Sequence, residues 1–185
     1  MDFQKLTVKI AEILDDLKIP YAITGGYAVS VWGHPRSTID IDIVVELFET
    51  KIPNLAAALK SLSTFGYVDI QQMQDALRRK SEFNFIHESG IKVDFWIKSG
   101  EPFAKQELKR RRAKIIGGKK VYFVSPEDLI LSKLIWHKKS GSDYQLKDAE
   151  SIIKRQKKLD WKYIKKWAAI QSTVDILNRL LKNSA

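Results

Sequence analysis

Asp40 and Asp42, separated by a single apolar residue in Asp40-Ile41-Asp42-Ile43-Val44-Val45, are the side chains of this sequence best spaced to do chemistry. In a strand, alternate side chains share a face, so the two acids point one way while Ile41, Ile43 and Val45 point into a core. Two carboxylates about 7 Å apart on one face repel each other unless a cation lies between them. Oxygen donors of that kind suit Mg²⁺ or Mn²⁺. Upstream, Gly25-Gly26 follows the apolar run Tyr21-Ala22-Ile23-Thr24 and leads into Tyr27 to Trp32, which reads as a short helix. Glycine leaves backbone N–H groups bare at a helix N-terminus, an arrangement that favours phosphate. Each motif also has a plainer reading, the acids as the wet face of a sheet and the glycines as a turn. The order strand, glycine pair, helix, strand with paired acids joins them in one site, suited to a metal-bound polyphosphate.

The surrounding elements have to hold these residues in place. Leu6, Ile10, Ile13, Leu14 and Leu17 recur with a helical period before Pro20 forbids continuation and opens the first strand. Gly33-His34-Pro35-Arg36 is a turn, and Ile52 to Phe65 is an amphipathic helix ending near Gly66. Gln71 to Arg79 also reads as helical. Phe83–His87 and Ile91–Ile97 form a hairpin around Glu88-Ser89-Gly90. Asp94 interrupts the apolar run of its second strand, where a carboxylate is costly unless paired, metal-bound or at a wet edge. A helical stretch from about Glu101 precedes Lys109-Arg110-Arg111-Arg112 and Lys114, and a second hairpin turns at Gly117-Gly118. Ser125-Pro126 has the form of a helix start, with serine as cap and proline at the first helical position. Beyond it the chain turns helical: Leu129 to Trp136, Tyr144 to Lys158, then two short amphipathic helices after Asp160. Residues 1–124 are therefore expected to form an α/β (α+β) core with a small mixed sheet, and 125–185 a helical C-terminal region packed on it.

Composition narrows the classes. The chain of 185 residues has no cysteine, which removes disulfides, thiolate zinc sites and cysteine nucleophiles together. His34, His87 and His137 are scattered and form no metal or general-base constellation. No run of about 18 apolar residues occurs, and no signal peptide is visible, so no membrane association and a cytoplasmic location are expected. The Gly-x-x-x-x-Gly-Lys-Ser/Thr loop of γ-phosphoryl transferases is missing. A formal net charge of +10 favours a polyanionic partner, and the Lys109–Lys114 cluster suggests an RNA, although solvated lysines produce the same figure.

The stretch from Tyr21 to Val45 resembles the signature of the DNA polymerase beta-like nucleotidyltransferase superfamily: Gly25-Gly26, a thirteen-residue spacer, then Asp40-Ile41-Asp42-Ile43. Arg36-Ser37-Thr38 before the acids is similar to the form found in small stand-alone members such as AbiEii-type toxins of toxin–antitoxin systems. The resemblance implies a two-metal transfer of a nucleoside monophosphate from a nucleoside triphosphate to a hydroxyl, with release of pyrophosphate. It implies catalytic and metal-binding roles for Asp40 and Asp42, with Asp94 as third acid. Gly25, Gly26, Arg36, Thr38 and Lys133, the last on a helix similar to the lysine-bearing one of AbiEii-type enzymes, would bind nucleotide, ATP among the candidates. Lys147-Asp148 resembles the last motif of that family, but Ser151 stands where its second acid belongs. The acceptor stays open between RNA, protein and small molecule. So does a catalytically inactive module of the same fold that binds nucleotide, RNA or a partner protein.

Overall fold

A computed structural model describes residues 1–98 and 100–184; Ala185, the end of the expected C-terminal region, lies outside the described residues. The chain divides into two compact units, Met1–Tyr27 with Ser37–Val124, and Ala28–Arg36 with Ser125–Ala185. Helix α1 (Phe3–Asp16) opens the first unit, its start fixed by Asp2, whose side chain accepts from the Lys5 N–H at 2.8 Å. Its stripe of Leu6, Ile10 and Leu14 is fully buried. Lys18 adopts a left-handed φ of 54°, and after Pro20 the chain enters strand β1 (Tyr21–Ile23). Helix α2 (Gly25–Trp32) follows, giving its first turn to one unit and its remainder to the other.

Strand β2 (Asp40–Val45), helix α3 (Ile52–Ser61), helix α4 (Ile70–Arg79), strand β3 (Glu82–Ile86), strand β4 (Lys92–Ile97), helix α5 (Pro102–Lys109), strand β5 (Arg112–Ile116) and strand β6 (Lys119–Phe123) complete the first unit. The strands form one mixed sheet in the order β3-β4-β2-β1-β6-β5. β2 runs parallel to β4 and antiparallel to β1, and β1 runs parallel to β6. Both expected hairpins form, β3–β4 around Glu88-Ser89-Gly90 and β5–β6 around Gly117-Gly118. Gly117 and Gly118 have φ of 54° and 78°, the pair of positive angles that a tight hairpin turn needs and that glycine supplies without strain.

One face of the central strands is packed shut. Ile41, Ile43, Phe83, Phe85, Val93, Phe95 and Ile97 are buried there at alternate positions. The rings of Phe83 and Phe95 stack with centroids 4.7 Å apart. The basic run of the sequence ends in the edge strand β5, where Arg112 and Lys114 deter pairing with another chain. Arg111 stacks its guanidinium over Tyr122, 4.6 Å from the ring centroid, so part of that cluster has a structural use.

The second unit holds helices α6 (Pro126–Ser140), α7 (Asp143–Arg155), α8 (Trp161–Ile170) and α9 (Val174–Ser184). Ser125 caps α6 as expected, accepting from the Asp128 N–H at 3.1 Å. Two expected helices are shorter than their periodicity suggests. α3 stops at Ser61 instead of Phe65, because Leu62 N–H bonds to Leu59 O in a tightened last turn. α7 ends at Arg155 instead of Lys158, where Gln156 turns extended and its amide donates to Trp32 O at 2.6 Å. Among the described residues, no helix is long and apolar enough to cross a membrane.

Phe95 faces Ile43 on β2 and Phe83 on β3, directly behind the polar face. Its truncation to alanine should cost roughly 3–5 kcal/mol, read as a lowered midpoint in urea unfolding with an unchanged m-value.

Candidate functional site

The opposite face of the same strands carries the acids. In strand periodicity Asp40 and Asp42 share a face, and on β4 Lys92, Asp94 and Trp96 do the same. The parallel register sets Asp42 opposite Asp94 and Asp40 opposite Lys92. On β3, Asn84 lies opposite Asp94 and Glu82 opposite Trp96. The three expected acids thus occupy neighbouring positions on one sheet face, Asp40 and Asp42 half-buried and Asp94 buried.

Each acid is held differently. Trp96 Nε1 donates to Asp42 Oδ1 at 3.2 Å. Lys92 Nζ lies 2.8 Å from Asp94 Oδ2. Asp40 begins β2, and its carbonyl accepts from the Thr38 hydroxyl at 3.1 Å, so Thr38 fixes the strand entry. The hydrogen bond and charge of Asp94 raise Lys92 above its ordinary pKa, with burial opposing. Glu82 is also raised, first by burial and then by Asp94 and Asp42. The neighbouring carboxylates disfavour ionisation of Glu82, and Lys92 opposes part of that effect.

The glycine pair meets this face directly. Gly25 has φ +61°, and a Cβ built on it would fall 1.9 Å from Asp42 Oδ2. The Thr24 N–H bonds to Asp42 O at 2.8 Å. Gly25 is therefore glycine for two reasons: the left-handed backbone and the room needed by the Asp42 carboxylate. Gly26 is buried in the first turn of α2.

Hard carboxylate oxygens on adjacent strand positions fit Mg²⁺ or Mn²⁺ by donor chemistry. Among the described residues, however, no group of three or more His, Cys, Asp or Glu side chains closes around a metal position. The ion pair with Lys92 occupies Asp94, the acid that would complete such a set.

In the second unit, Lys133 is buried and its Nζ lies 2.9 Å from Asp148 Oδ2; both side chains are 7% exposed. Arg36 Nε lies 3.3 Å from Asp148 Oδ1. The expected nucleotide-binding residues Arg36 and Lys133 are thus brought together by Asp148. Ser151, where the resembled motif has an acid, bonds through its hydroxyl to Asp148 O at 2.8 Å. Its oxygen lies 2.3 Å from where a Gly33 Cβ would stand, so the site admits only a small side chain.

Lys92 and Trp96 were not among the residues singled out in the sequence. Both lie two positions from Asp94, and strand alternation alone places them on its face.

A family model described as aminoglycoside-2''-adenylyltransferase matches residues 6–153. Among solved structures, the chain is similar to an antigenic nucleotidyltransferase-like protein from Paracoccidioides brasiliensis, at 22% identity over 97% of this chain and 91% of that one, with a TM-score of 0.59. It is similar to ANT(2'')-Ia in complex with adenylyl-2''-tobramycin, at 15% identity over 92% and 97%, with a TM-score of 0.61. It is also similar to the lincomycin-bound lincosamide antibiotic adenylyltransferase LnuA, at 16% identity over 82% and 98%, with a TM-score of 0.52. At these identities the structural likeness establishes the nucleotidyltransferase fold. No curated protein sequence matches the chain. The superfamily resemblance read from Tyr21 to Val45 is borne out, and the family that matches is the aminoglycoside one; these matches do not support the AbiEii relation.

Gly25→Ala should lose about 1–2 kcal/mol of stability from the left-handed backbone alone, and should push Asp42 away from Trp96, read as a change in tryptophan fluorescence. Asp148→Asn should cost roughly 3–5 kcal/mol, because it leaves buried Lys133 without its counter-charge; urea unfolding measures it.

Proposed function

Given that this chain belongs to the aminoglycoside-2''-adenylyltransferase family, we propose that it transfers the adenylyl group of ATP to a hydroxyl of a small-molecule acceptor such as an aminoglycoside. The observation that carries this reading is the register setting Asp42 beside Asp94, with Asp40 at the head of the same strand. In the reaction a bond forms between the acceptor oxygen and the α-phosphorus. The bond from that phosphorus to the β-phosphate bridging oxygen breaks, and pyrophosphate leaves. Asp40, Asp42 and Asp94 would hold Mg²⁺ or Mn²⁺, which would polarise the phosphate and stabilise the charge on attacking and leaving oxygens.

The remaining work falls to the chain itself. Trp96 orients the Asp42 carboxylate through its indole N–H. Gly25 keeps the backbone close to that carboxylate, and the first turn of α2 offers N–H groups to a phosphate. Asp94 accepts the acceptor's hydroxyl proton once Lys92 releases it. In the second unit, Arg36 and Lys133 are committed to Asp148, so a role for either on the nucleotide requires release from that pair.

A small-molecule acceptor is preferred because the family and two of the similar structures are named for adenylylation of antibiotics. An RNA or protein acceptor, and a toxin–antitoxin role, have less support: Arg111 in the basic cluster packs on Tyr122.

With ATP labelled on the α-phosphate, label should pass to aminoglycoside or another hydroxyl-bearing antibiotic, while γ-label leaves in pyrophosphate. Asp42→Asn should lower the rate by at least about a hundredfold without loss of fold by circular dichroism. Transfer of γ-label would refute adenylyl transfer. Absence of any transfer, with ATP still bound, would favour an inactive nucleotide-binding module.

A further inference from the structure

Lys92 contributes no atom to the reaction as described, yet it occupies the acid that the site most needs. It is two residues before Asp94 on β4 and directly across from Asp40 on β2. Its ammonium is 2.8 Å from Asp94 Oδ2. The Asp94 side chain is 9% exposed, whereas that of Lys92 is 41% exposed. A buried carboxylate requires a counter-charge, and here the sequence supplies one covalently. A divalent cation needs the same oxygen lone pairs, so ammonium and metal exclude one another at Asp94 by charge and by space. The lysine head, half in solvent on a flexible four-carbon stem, can swing away without unfolding the strand.

We propose that Lys92 is an internal counter-ion for Asp94 that keeps the carboxylate site closed to a free metal ion and opens it when a metal arrives on a polyphosphate. The triphosphate oxygens take up the ammonium that Asp94 loses, so the charge of the site stays balanced in both states. Metal alone must displace Lys92 without bringing an anionic partner for it. A metal–nucleotide complex brings that partner along. The inference rests on Asp40, Asp42 and Asp94 being the metal-binding acids.

The test uses the full chain, with Lys92→Gln, which keeps a hydrogen-bond donor for Asp94 but removes the charge, and Lys92→Arg, which keeps the charge. Mn²⁺ is titrated by electron paramagnetic resonance without nucleotide and again with excess ATP. Removing a like charge this close should tighten binding of the ion alone by about tenfold or more in Lys92→Gln, with Lys92→Arg at the parent value. The Mn²⁺–ATP complex should gain nothing from Lys92→Gln. In EDTA the Lys92→Gln variant should melt below the parent, and Mg²⁺ should restore most of that loss. Equal Mn²⁺ affinity in the parent and Lys92→Gln would overturn the counter-ion role and leave the metal site standing. A gain of the same size for free Mn²⁺ and for Mn²⁺–ATP would overturn the coupling to nucleotide. If neither parent nor variants bind Mn²⁺, with or without ATP, the three-acid metal site itself falls.

Discussion

Two carboxylates set side by side in the middle of a sheet are the constraint around which the first unit is organised. Parallel pairing of β2 with β4 puts Asp42 opposite Asp94 in register, on strands whose other face is packed shut. A slip of β2 by one residue would turn Asp40 and Asp42 into the hydrophobic layer and bring Ile41 and Ile43 to the polar face. The buried layer therefore fixes the position of the acids. The stacked Phe83 and Phe95 rings belong as much to the site as the carboxylates that they support.

That arrangement creates a repulsion that the neighbouring residues answer one by one. Lys92 neutralises Asp94, and the Trp96 indole binds Asp42. Gly25 accepts a left-handed backbone so that the chain can pass against the Asp42 carboxylate. These are short-range solutions, each drawn from an element already needed for the sheet. A functional site built on strands inherits their rigidity, which suits chemistry that depends on holding charges in place.

The second unit meets the same problem with a different balance. Asp148 is one buried carboxylate shared by two cations, Lys133 and Arg36. Such a cluster is weak evidence of stability, since replacing all its members by apolar groups often costs nothing. Removing one member is another matter, because it strands charge away from water. The small Ser151, set close against Gly33, shows how tightly the backbone of this unit is drawn in beside Asp148.

Much of this was legible in the chain itself. The alternation of Asp40, Ile41, Asp42 and Ile43 determined a strand with paired acids, because side-chain direction in a strand depends only on position. Glycine-marked turns located both hairpins, and Ser125-Pro126 located the start of α6. Apolar periodicity overran the ends of α3 and α7, since α3 ends on a local backbone hydrogen bond and α7 beside a side-chain bond to distant Trp32, and neither leaves a trace in hydropathy. What the sequence could not supply was pairing. Asp42 and Asp94 are far apart along the chain, and only the parallel crossover decided that they stand opposite each other. The partners of the charged groups were decided the same way. Lys133 read as a cation awaiting phosphate until folding brought Asp148 to it, and Lys92, on the Asp94 face by alternation alone, became a counter-charge once the sheet buried that acid. Local geometry is written in local spacing, whereas a charge is buried, and its counter-charge becomes necessary, only when distant segments are brought together and water is removed.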